Sequence, residues 1–499
     1  MPDKYKGLSR KELYNTANFT GRNMMLKAVF FDMGGTIDTF RYSRQHRITE
    51  AACIRECLGR TGIMLACTDT ELADLITRGA SDYLQWNMSS NIELSPAEIW
   101  SGFFLKGSGV SAAELEPVAE ELAFLYETRL FIREMRPEVP TVLAAVKAMG
   151  LKIGCISNTQ STRQVPENLK EYGIADYFHP IVLSSEYGRR KPDPAIFYYA
   201  ARLAKVPTSS CIYIGDKISR DILGAQRAGF RTAIQIRHPF DNGEPDEGAS
   251  PDFIIQEMTE LLPIIEELQN QDRQSPGLEM HRKVKAVFFD AGDILYYRPH
   301  RDMHLKAFLK GKTLHPHPGF EQKKNHLREL AYSGKLRRHS YYEQVLRLYG
   351  ITDPDEIAEG INAMRQDDYN VEIIDGAAET VRQLKERGFL LGIITDTALS
   401  FSRKLDWFEE HGFGRVWDSV ISSKEIGARK PCPEMYRQAI TQAGVKPCET
   451  VFVGHKRSEI DGAKAVGMKT IALNFDEGTQ ADVFIKDIRD LLQVPDLQG

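Results

Sequence analysis

Short apolar runs alternate along the chain with stretches in which apolar residues recur at the spacing of a helix. The run AVFF, at 28–31 and again at 286–289, is rich in residues that favour buried strands. TVLAAVKAMG at 141–150 and TVRQLKERG at 380–388 instead place their apolar residues on one face of a helix. This alternation is typical of βαβ units with right-handed crossovers around a parallel sheet.

The chain repeats itself in four ordered blocks. KAVFFDMGGTI at 27–37 returns as KAVFFDAGDIL at 285–295. Three further pairs follow in the same order: LKIGCISNT (151–159) with LLGIITDTA (390–398), VLSSEYGRRKPDPAIF (182–197) with VISSKEIGARKPCPEMY (420–436), and CIYIGDKISRDILGAQRAGF (211–230) with TVFVGHKRSEIDGAKAVGM (450–468). Self-similarity on this scale predicts two homologous α/β domains in tandem.

The two copies differ in length chiefly between their first and second blocks. The segments that lie there, about 41–134 and 298–371, are helical by periodicity and follow the first strand of each copy. An inserted domain can vary in this way while its scaffold stays fixed. We therefore predict two Rossmann-like, doubly wound parallel sheets, each carrying an inserted helical cap.

Composition suggests where the domains begin and end. Residues 1–24 form a polar tail, 25–268 the first domain, 269–282 a polar linker that contains Ser-Pro-Gly, and 283–499 the second domain. Duplication of a self-associating ancestor could make the two copies an intramolecular pseudo-dimer.

Bulk properties narrow the class of protein. A net charge of −5 predicts no general attraction to nucleic acid or to an anionic membrane. The seven cysteines show no CxxC spacing, which favours a reduced, cytoplasmic compartment over a zinc site or a disulfide framework. No apolar stretch approaches the ~18 residues of a membrane span, so we expect a soluble cytoplasmic protein.

Four polar residues of the first copy lie at the ends of apolar runs or in the loops after them: Asp32, Ser157, Lys191 and Asp216. Ligands of doubly wound sheets gather at the carboxyl ends of the strands. Two carboxylates suit Mg²⁺, whose charge lets them share a small volume, while a hydroxyl and an ammonium suit phosphoryl oxygens. The pattern predicts a site for a phosphate group together with a divalent cation.

These blocks resemble the motifs of the haloacid dehalogenase (HAD) superfamily of phosphatases and phosphotransferases, over almost the whole chain and twice. The resemblance implies that Asp32 in DMGGT attacks phosphorus and forms an aspartyl-phosphate. It implies that Ser157 and Asn158 in CISN bind phosphate and that Lys191 in RRKPDP clamps it. Asp216 and Asp221 in IGDKISRD would complete the Mg²⁺ site with Asp32. The implied substrate is a small phosphorylated metabolite.

One residue departs from the family pattern. Gly34 stands where the family has a second aspartate, which protonates the leaving group while its backbone carbonyl binds the metal. Glycine keeps that carbonyl, so Gly34 remains a metal ligand in the resemblance, but it lacks the carboxylate. Loss of general acid–base catalysis would slow turnover by ~10² to 10⁴ unless another group replaces it.

The second copy departs further from the pattern. Asp290 aligns with the nucleophile, and Gly292 again occupies the acid–base position. The remaining aligned residues are Thr395, Lys430 and His455, with Glu459 as an additional oxygen donor. Because a neutral imidazole is a poor Mg²⁺ ligand beside hard carboxylates, we expect the second site to be weakened or inactive, and its domain to be structural or regulatory.

Three functions remain open at this stage. The leading hypothesis is a Mg²⁺-dependent phosphohydrolase that acts on a small phosphomonoester through Asp32. The glycines at 34 and 292 and the histidine at 455 also fit a non-catalytic protein that binds a phosphorylated ligand or partner. The third possible function is cleavage of a carbon–halogen bond or of a phosphonate. Retention of Asp216 and Asp221 argues against a metal-free dehalogenase.

Overall fold

The computed structural model describes residues 25–238, 248–274, 283–399 and 401–498. The chain divides into two compact units, residues 1–275 and 276–499, called domain 1 and domain 2 below. The polar tail predicted for residues 1–24 lies outside the described residues. In the part of the chain that is described, no helix is long and apolar enough to cross a membrane.

Domain 1 is built on a parallel sheet of six strands in the order β5-β4-β1-β6-β7-β8. The strand β1 is central, and all four of its AVFF residues are buried. Its register sets Phe31 opposite Cys155 of β4 on one side and Ile214 of β6 on the other. The strands are β1 Ala28–Phe31, β4 Lys152–Ser157, β5 Ile181–Leu183, β6 Cys211–Gly215, β7 Thr232–Ile236 and β8 Phe253–Ile255. The predicted α/β class with doubly wound parallel sheets is confirmed.

The cap of domain 1 is joined to the sheet by a two-stranded antiparallel ribbon of β2 (Asp38–Arg41) and β3 (Ile132–Met135). Its helices pack around a separate apolar core that includes the fully buried Trp100. A capping box between Thr68 and Glu71 fixes the start of its longest helix. The cap helices are α1 Arg44–Gly59, α2 Asp69–Ser90, α3 Pro96–Ile99, α4 Ala112–Leu115 and α5 Ala119–Arg129, with a π-turn at Trp100–Phe104.

The remaining helices of domain 1 cover its sheet. They bury apolar faces against the strands, as the sequence pattern predicts, and Val142, Val146 and Leu169 belong to the resulting core. They are α6 Val139–Ala148, α7 Gln164–Glu171, α8 Ser184–Tyr187, α9 Pro194–Ala204, α10 Leu223–Arg227 and α11 Leu261–Gln274.

The prediction that a linker begins at residue 269 is wrong, because the last helix of domain 1 continues to Gln274. Asp272, inside the predicted linker, accepts a hydrogen bond from the backbone N–H of Leu26 at 2.9 Å. It also pairs with Arg231 at 2.8 Å. These contacts explain why a polar segment stays helical: its carboxylate ties the helix to the start of β1. Residues 275–282 of the predicted linker lie outside the described residues.

Domain 2 has the same strand order, β13-β12-β9-β14-β15-β16, again entirely parallel. Its cap is joined through a short antiparallel ribbon of β10 and β11. The strands are β9 Ala286–Phe289, β10 Tyr296–Tyr297, β11 Glu372–Ile373, β12 Leu390–Thr395, β13 Ser419–Ser422, β14 Thr450–Gly454, β15 Lys469–Ala472 and β16 Val483–Phe484.

The cap of domain 2 is again helical and has a smaller core, around Val345 and Leu346. Its helices are α12 Met303–Leu309, α13 Phe320–Tyr332, α14 Arg338–Leu348 and α15 Pro354–Tyr369. The helices around the sheet are α16 Ala377–Glu386, α17 Phe401–Glu410, α18 Ser423–Ile426, α19 Pro433–Ala443 and α20 Arg457–Ala465.

Candidate active site

Three of the polar residues selected from the sequence lie at the carboxyl edge of the domain 1 sheet. Asp32 directly follows β1, Ser157 is the last residue of β4, and Asp216 directly follows β6. Because β1 pairs with both other strands, the fold brings these side chains to one edge from distant parts of the chain. All three are buried, with exposed fractions of 3 to 4%.

Lys191 connects the carboxylates at this edge. Its ammonium lies 2.8 Å from Oδ1 of Asp32 and 2.6 Å from Oδ1 of Asp221. It also donates to the backbone carbonyl of Ile156 at 3.0 Å and to the hydroxyl of Tyr213 at 2.8 Å. The side chain has no solvent exposure, so this cation is held rigidly at the base of the site.

Asn158 positions the loop that carries Lys191. Its side-chain amide donates to the Lys191 carbonyl at 3.1 Å, and its side-chain oxygen accepts from the Lys191 N–H at 2.9 Å. This two-way contact orders the loop before Pro192. The family resemblance implies that Asn158 binds substrate. It does line the cavity described below, but its hydrogen-bonding groups hold Lys191.

Asp32, Asp216 and Asp221 place one oxygen each within 4.8 Å of one another. Two glycines leave room for this cluster: a Cβ at Gly35 would lie 2.4 Å from an Asp216 carboxylate oxygen, and a Cβ at Gly215 would lie 2.4 Å from the Asp221 Cβ. Gly35 also adopts φ +83°, which favours glycine. Three hard oxygen donors in such a cradle fit a Mg²⁺ ion.

The pKa values of the two carboxyl groups that contact Lys191 are shifted in opposite directions. Burial raises the pKa of Asp32, against the attraction of Lys191. Burial acts in the same direction on Asp221, but Lys191 and Arg220 overcome it, and the pKa of Asp221 falls below its ordinary value. The ammonium of Lys191 is likewise opposed by burial, yet Asp221 and Asp32 raise its pKa. Lys191 is therefore a permanent cation whose charge lies closer to Asp221.

Gly34 faces the ribbon that joins the cap. A Cβ at this residue would lie 3.3 Å from Nη1 of Arg133 and 3.5 Å from the Phe40 ring. Arg133 is itself paired with two carboxylates, Asp38 at 3.1 Å and Glu127 at 3.3 Å. Burial raises the pKa of both Asp38 and Glu127, while Arg133 opposes it.

A cavity of about 450 Å³ lies between the sheet edge and the cap of domain 1. Asp32, Gly34 and Ser157 line its floor from the sheet side, and cap residues line the remainder. Four arginines reach it: Arg47, Arg133, Arg190 and Arg220. A space of this size suits a small molecule.

The corresponding site in domain 2 contains a similar pair of lysine–carboxylate contacts. Lys430 lies 2.6 Å from Asp290 and 2.9 Å from Glu459. Burial opposes the charge of Asp290, but Lys430 and His455 lower its pKa. Asp290, His455 and Glu459 also place one donor atom each within 4.8 Å of one another. The imidazole of His455 therefore stands where domain 1 has the carboxylate of Asp216.

Two further differences distinguish the domain 2 site from that of domain 1. Asp293 replaces the glycine of the cradle, at φ +61°, and its carboxylate lies 3.6 Å from His455 Nε2. Thr395, which aligns with Ser157, accepts a hydrogen bond at 2.7 Å from the buried ammonium of Lys404. The hydroxyl predicted to hold phosphate therefore already has a cationic neighbour.

Several site residues are not among those selected from the sequence. Tyr213 lies within a strand and its sequence pattern is that of a core residue, although its hydroxyl donates to Asp221 at 3.1 Å. Arg220 pairs with Asp216 at 3.3 Å and lies inside the IGDKISRD motif, where its charge was a usable signal. The cap residues Arg47, Glu127 and Arg133 carry no motif, and only the folded cap brings them to the cavity.

Comparison with known families agrees with this geometry. Residues 26–229 match the haloacid dehalogenase-like hydrolase family model. Residues 324–473 match a second model with the same description.

Among curated proteins, the chain is 35% identical over 159 residues to a glyceraldehyde 3-phosphate phosphatase of Methanopyrus kandleri, which covers 31% of this chain and 68% of the relative. It is 23% identical over 242 residues to a phosphoglycolate phosphatase of Vibrio vulnificus, in an alignment that covers 48% of this chain and 96% of the relative. Among solved structures, it resembles a 2-haloacid dehalogenase of Pseudomonas syringae at 27% identity. The superposition covers 49% of this chain and 99% of the dehalogenase, with a TM-score of 0.34.

Proposed function

We propose, for a chain that belongs to the haloacid dehalogenase-like hydrolase family, that domain 1 is a Mg²⁺-dependent phosphatase that acts on a small phosphomonoester. The observation that carries the proposal is the convergence of Asp32, Asp216 and Asp221 around Lys191 at one sheet edge. The phosphatase activities of the curated relatives support it.

Asp32 would act as the nucleophile. A carboxylate oxygen attacks phosphorus, the P–O bond to the leaving group breaks, and an aspartyl-phosphate forms while the departing alkoxide takes a proton from solvent. Water then attacks the phosphorus of this intermediate and loses a proton to solvent, which releases inorganic phosphate and regenerates the carboxylate. Lys191 offsets the charge that develops on the phosphoryl oxygens, and Ser157 donates a hydrogen bond to one of them.

Asp32, Asp216, Asp221 and the carbonyl of Gly34 would hold the cation. When bound, Mg²⁺ neutralises phosphoryl charge and orients the phosphate for in-line attack. Without it, three carboxylates face the charges of Lys191 and Arg220, so the cluster is net negative and would repel a phosphate dianion. This charge balance is the reason that we expect activity to require the metal.

Domain 2 would serve as a structural or regulatory partner. Its candidate metal cluster contains His455 where domain 1 has Asp216. Imidazole is a poorer Mg²⁺ ligand than a carboxylate, so we expect the cation to bind domain 2 weakly. The rival function, phospholigand binding without turnover, is favoured by the glycines at 34 and 292.

The test of the proposal is a panel of small phosphomonoesters assayed for phosphate release with Mg²⁺ and with EDTA. We expect Mg²⁺-dependent release from at least one member and background release with EDTA. Binding of phosphate analogues with no hydrolysis across the panel would instead favour the non-catalytic function. Phosphate release that persists in EDTA would contradict the metal requirement.

Metal binding can be tested without turnover. A ligand present at a hundredfold excess over its Kd stabilises the folded state by about 2.7 kcal/mol, so Mg²⁺ should raise the melting temperature by several degrees. We expect Asp216→Asn to remove most of this increase, because it removes one of three carboxylates. Asp290→Asn, in the domain 2 cluster, is the matched control and should keep it. Equal loss in both variants would contradict the assignment of the metal to domain 1.

A further inference from the structure

Arg47 is a buried cation in the cap of domain 1. It belongs to the first turns of α1, and only 4% of it is exposed. Its guanidinium lies 3.6 Å from the centre of the Tyr42 ring, and its Nη1 donates to Thr77 Oγ1 at 3.0 Å. Its Nε is buried and has no hydrogen-bond partner within the described residues.

The other three arginines of the cavity have carboxylate partners. Arg133 pairs with Asp38 and Glu127, Arg190 with Glu93, and Arg220 with Asp216 and Asp221. Among the residues that the structure describes, no carboxylate lies within 4.0 Å of the Arg47 guanidinium. Arg47 therefore differs from its neighbours in charge compensation, although it lines the same cavity.

A buried cation without a counterion is costly, because it loses hydration and gains no Coulomb attraction. Stacking on Tyr42 compensates only part of that loss. The aromatic side chains of Phe40, Tyr126 and Phe131 also line the cavity and lower the local dielectric. In such surroundings an anion that reaches the guanidinium interacts much more strongly than it would in water.

The position of Arg47 relates this cation to the substrate. Asp32 and Ser157 line the cavity from the sheet, and Arg47 lines it from the cap. A phosphomonoester whose phosphoryl group contacts Asp32 would direct the remainder of the molecule into this cavity. A planar guanidinium with unused N–H groups matches a carboxylate or a second phosphate, each of which accepts two parallel hydrogen bonds.

We propose that Arg47 binds a second anionic group of the substrate, so that domain 1 selects phosphomonoesters that carry a carboxylate or a further phosphate. This inference rests on the proposed phosphatase site, because it places the phosphoryl group at Asp32. Arg47 is a specificity residue, and it takes no part in the bond-breaking step.

The test measures binding of non-hydrolysable phosphonates to the full chain by calorimetry, with Mg²⁺ present. Phosphonoacetate carries a carboxylate, methylenediphosphonate carries a second phosphoryl group, and ethylphosphonate carries neither. We expect one of the two probes with a second anionic group to bind at least about tenfold more tightly than ethylphosphonate, and which one does so identifies the second group. Arg47→Met should abolish that preference without weakening ethylphosphonate, and Arg47→Lys should restore part of it.

Arg44→Met is the matched control, since Arg44 lies three residues earlier on the same helix and its exposed side chain pairs with Asp74. It should leave all three affinities unchanged. Equal affinity of the wild type for the three phosphonates, or binding of none, would overturn the inference. So would Arg47→Met weakening all three equally, because that result indicates a purely structural arginine. Failure of the phosphatase proposal is visible separately, as absence of phosphate release from the ester panel.

Discussion

Asp32→Asn should abolish Mg²⁺-dependent release of phosphate from p-nitrophenyl phosphate, with a loss of at least about 10³-fold in kcat. The amide of asparagine is a much weaker nucleophile than a carboxylate, so no aspartyl-phosphate equivalent can form at this residue. The substitution also removes one of the three charges that hold the cation. A good leaving group is chosen because it needs little protonation, which keeps the measurement independent of Gly34.

Asp290→Asn is the control for this experiment. Asp290 has the corresponding place in domain 2, with its own lysine at 2.6 Å, so both substitutions remove a buried charge beside a buried lysine. We expect Asp290→Asn to leave kcat within about twofold. Melting temperatures of both variants show whether a loss of activity reflects unfolding. Comparable losses from the two substitutions, in folded proteins, would refute the division of labour between the domains.

The sheet and the motif residues can be predicted from the sequence because their signals are local. AVFF predicts a buried strand wherever it occurs, and parallel strands bring the residues after them to one edge. The meeting of Asp32 and Asp216 therefore follows from the strand pattern alone. The end of helix α11 does not follow from it, because a polar segment held by Asp272 has the composition of a linker.

The cap residues of the site could not be predicted for a physical reason. Arg47, Glu127 and Arg133 lie on helices and a ribbon whose sequence pattern reflects their own packing, and the pattern does not indicate which face meets the sheet. Tyr213 cannot be predicted for the opposite reason: its place in an apolar strand is that of a core residue, while its hydroxyl contacts Lys191 at 2.8 Å. The sequence pattern therefore predicts the residues at the sheet end of the cavity, whereas only the fold shows which residues line its cap end.

Gly34→Asp should raise kcat for esters with poor leaving groups, by about 10- to 100-fold, if the first site lacks only a proton-transfer group. General acid–base catalysis contributes ~10² to 10⁴, and we expect a gain at or below the lower end of that range because the new carboxylate meets Arg133. A Cβ at this residue lies 3.3 Å from Arg133 Nη1, so the guanidinium must shift by a few tenths of an ångström. Gly34 does not adopt a positive φ, unlike Gly35 beside it, so the backbone accepts a side chain.

Two controls separate proton transfer from packing. Gly34→Asn has nearly the same shape and cannot act as an acid, so it should give no gain. Gly292→Asp places the same carboxylate in domain 2, where a Cβ would have nothing within 4 Å, and should leave turnover unchanged. The gain should shrink for p-nitrophenyl phosphate, whose leaving group needs little protonation. If Gly34→Asp is no faster than Gly34→Asn on poor leaving groups, another group already supplies the proton. Glu127 would then be the first residue to substitute, since burial raises the pKa of this cavity carboxyl.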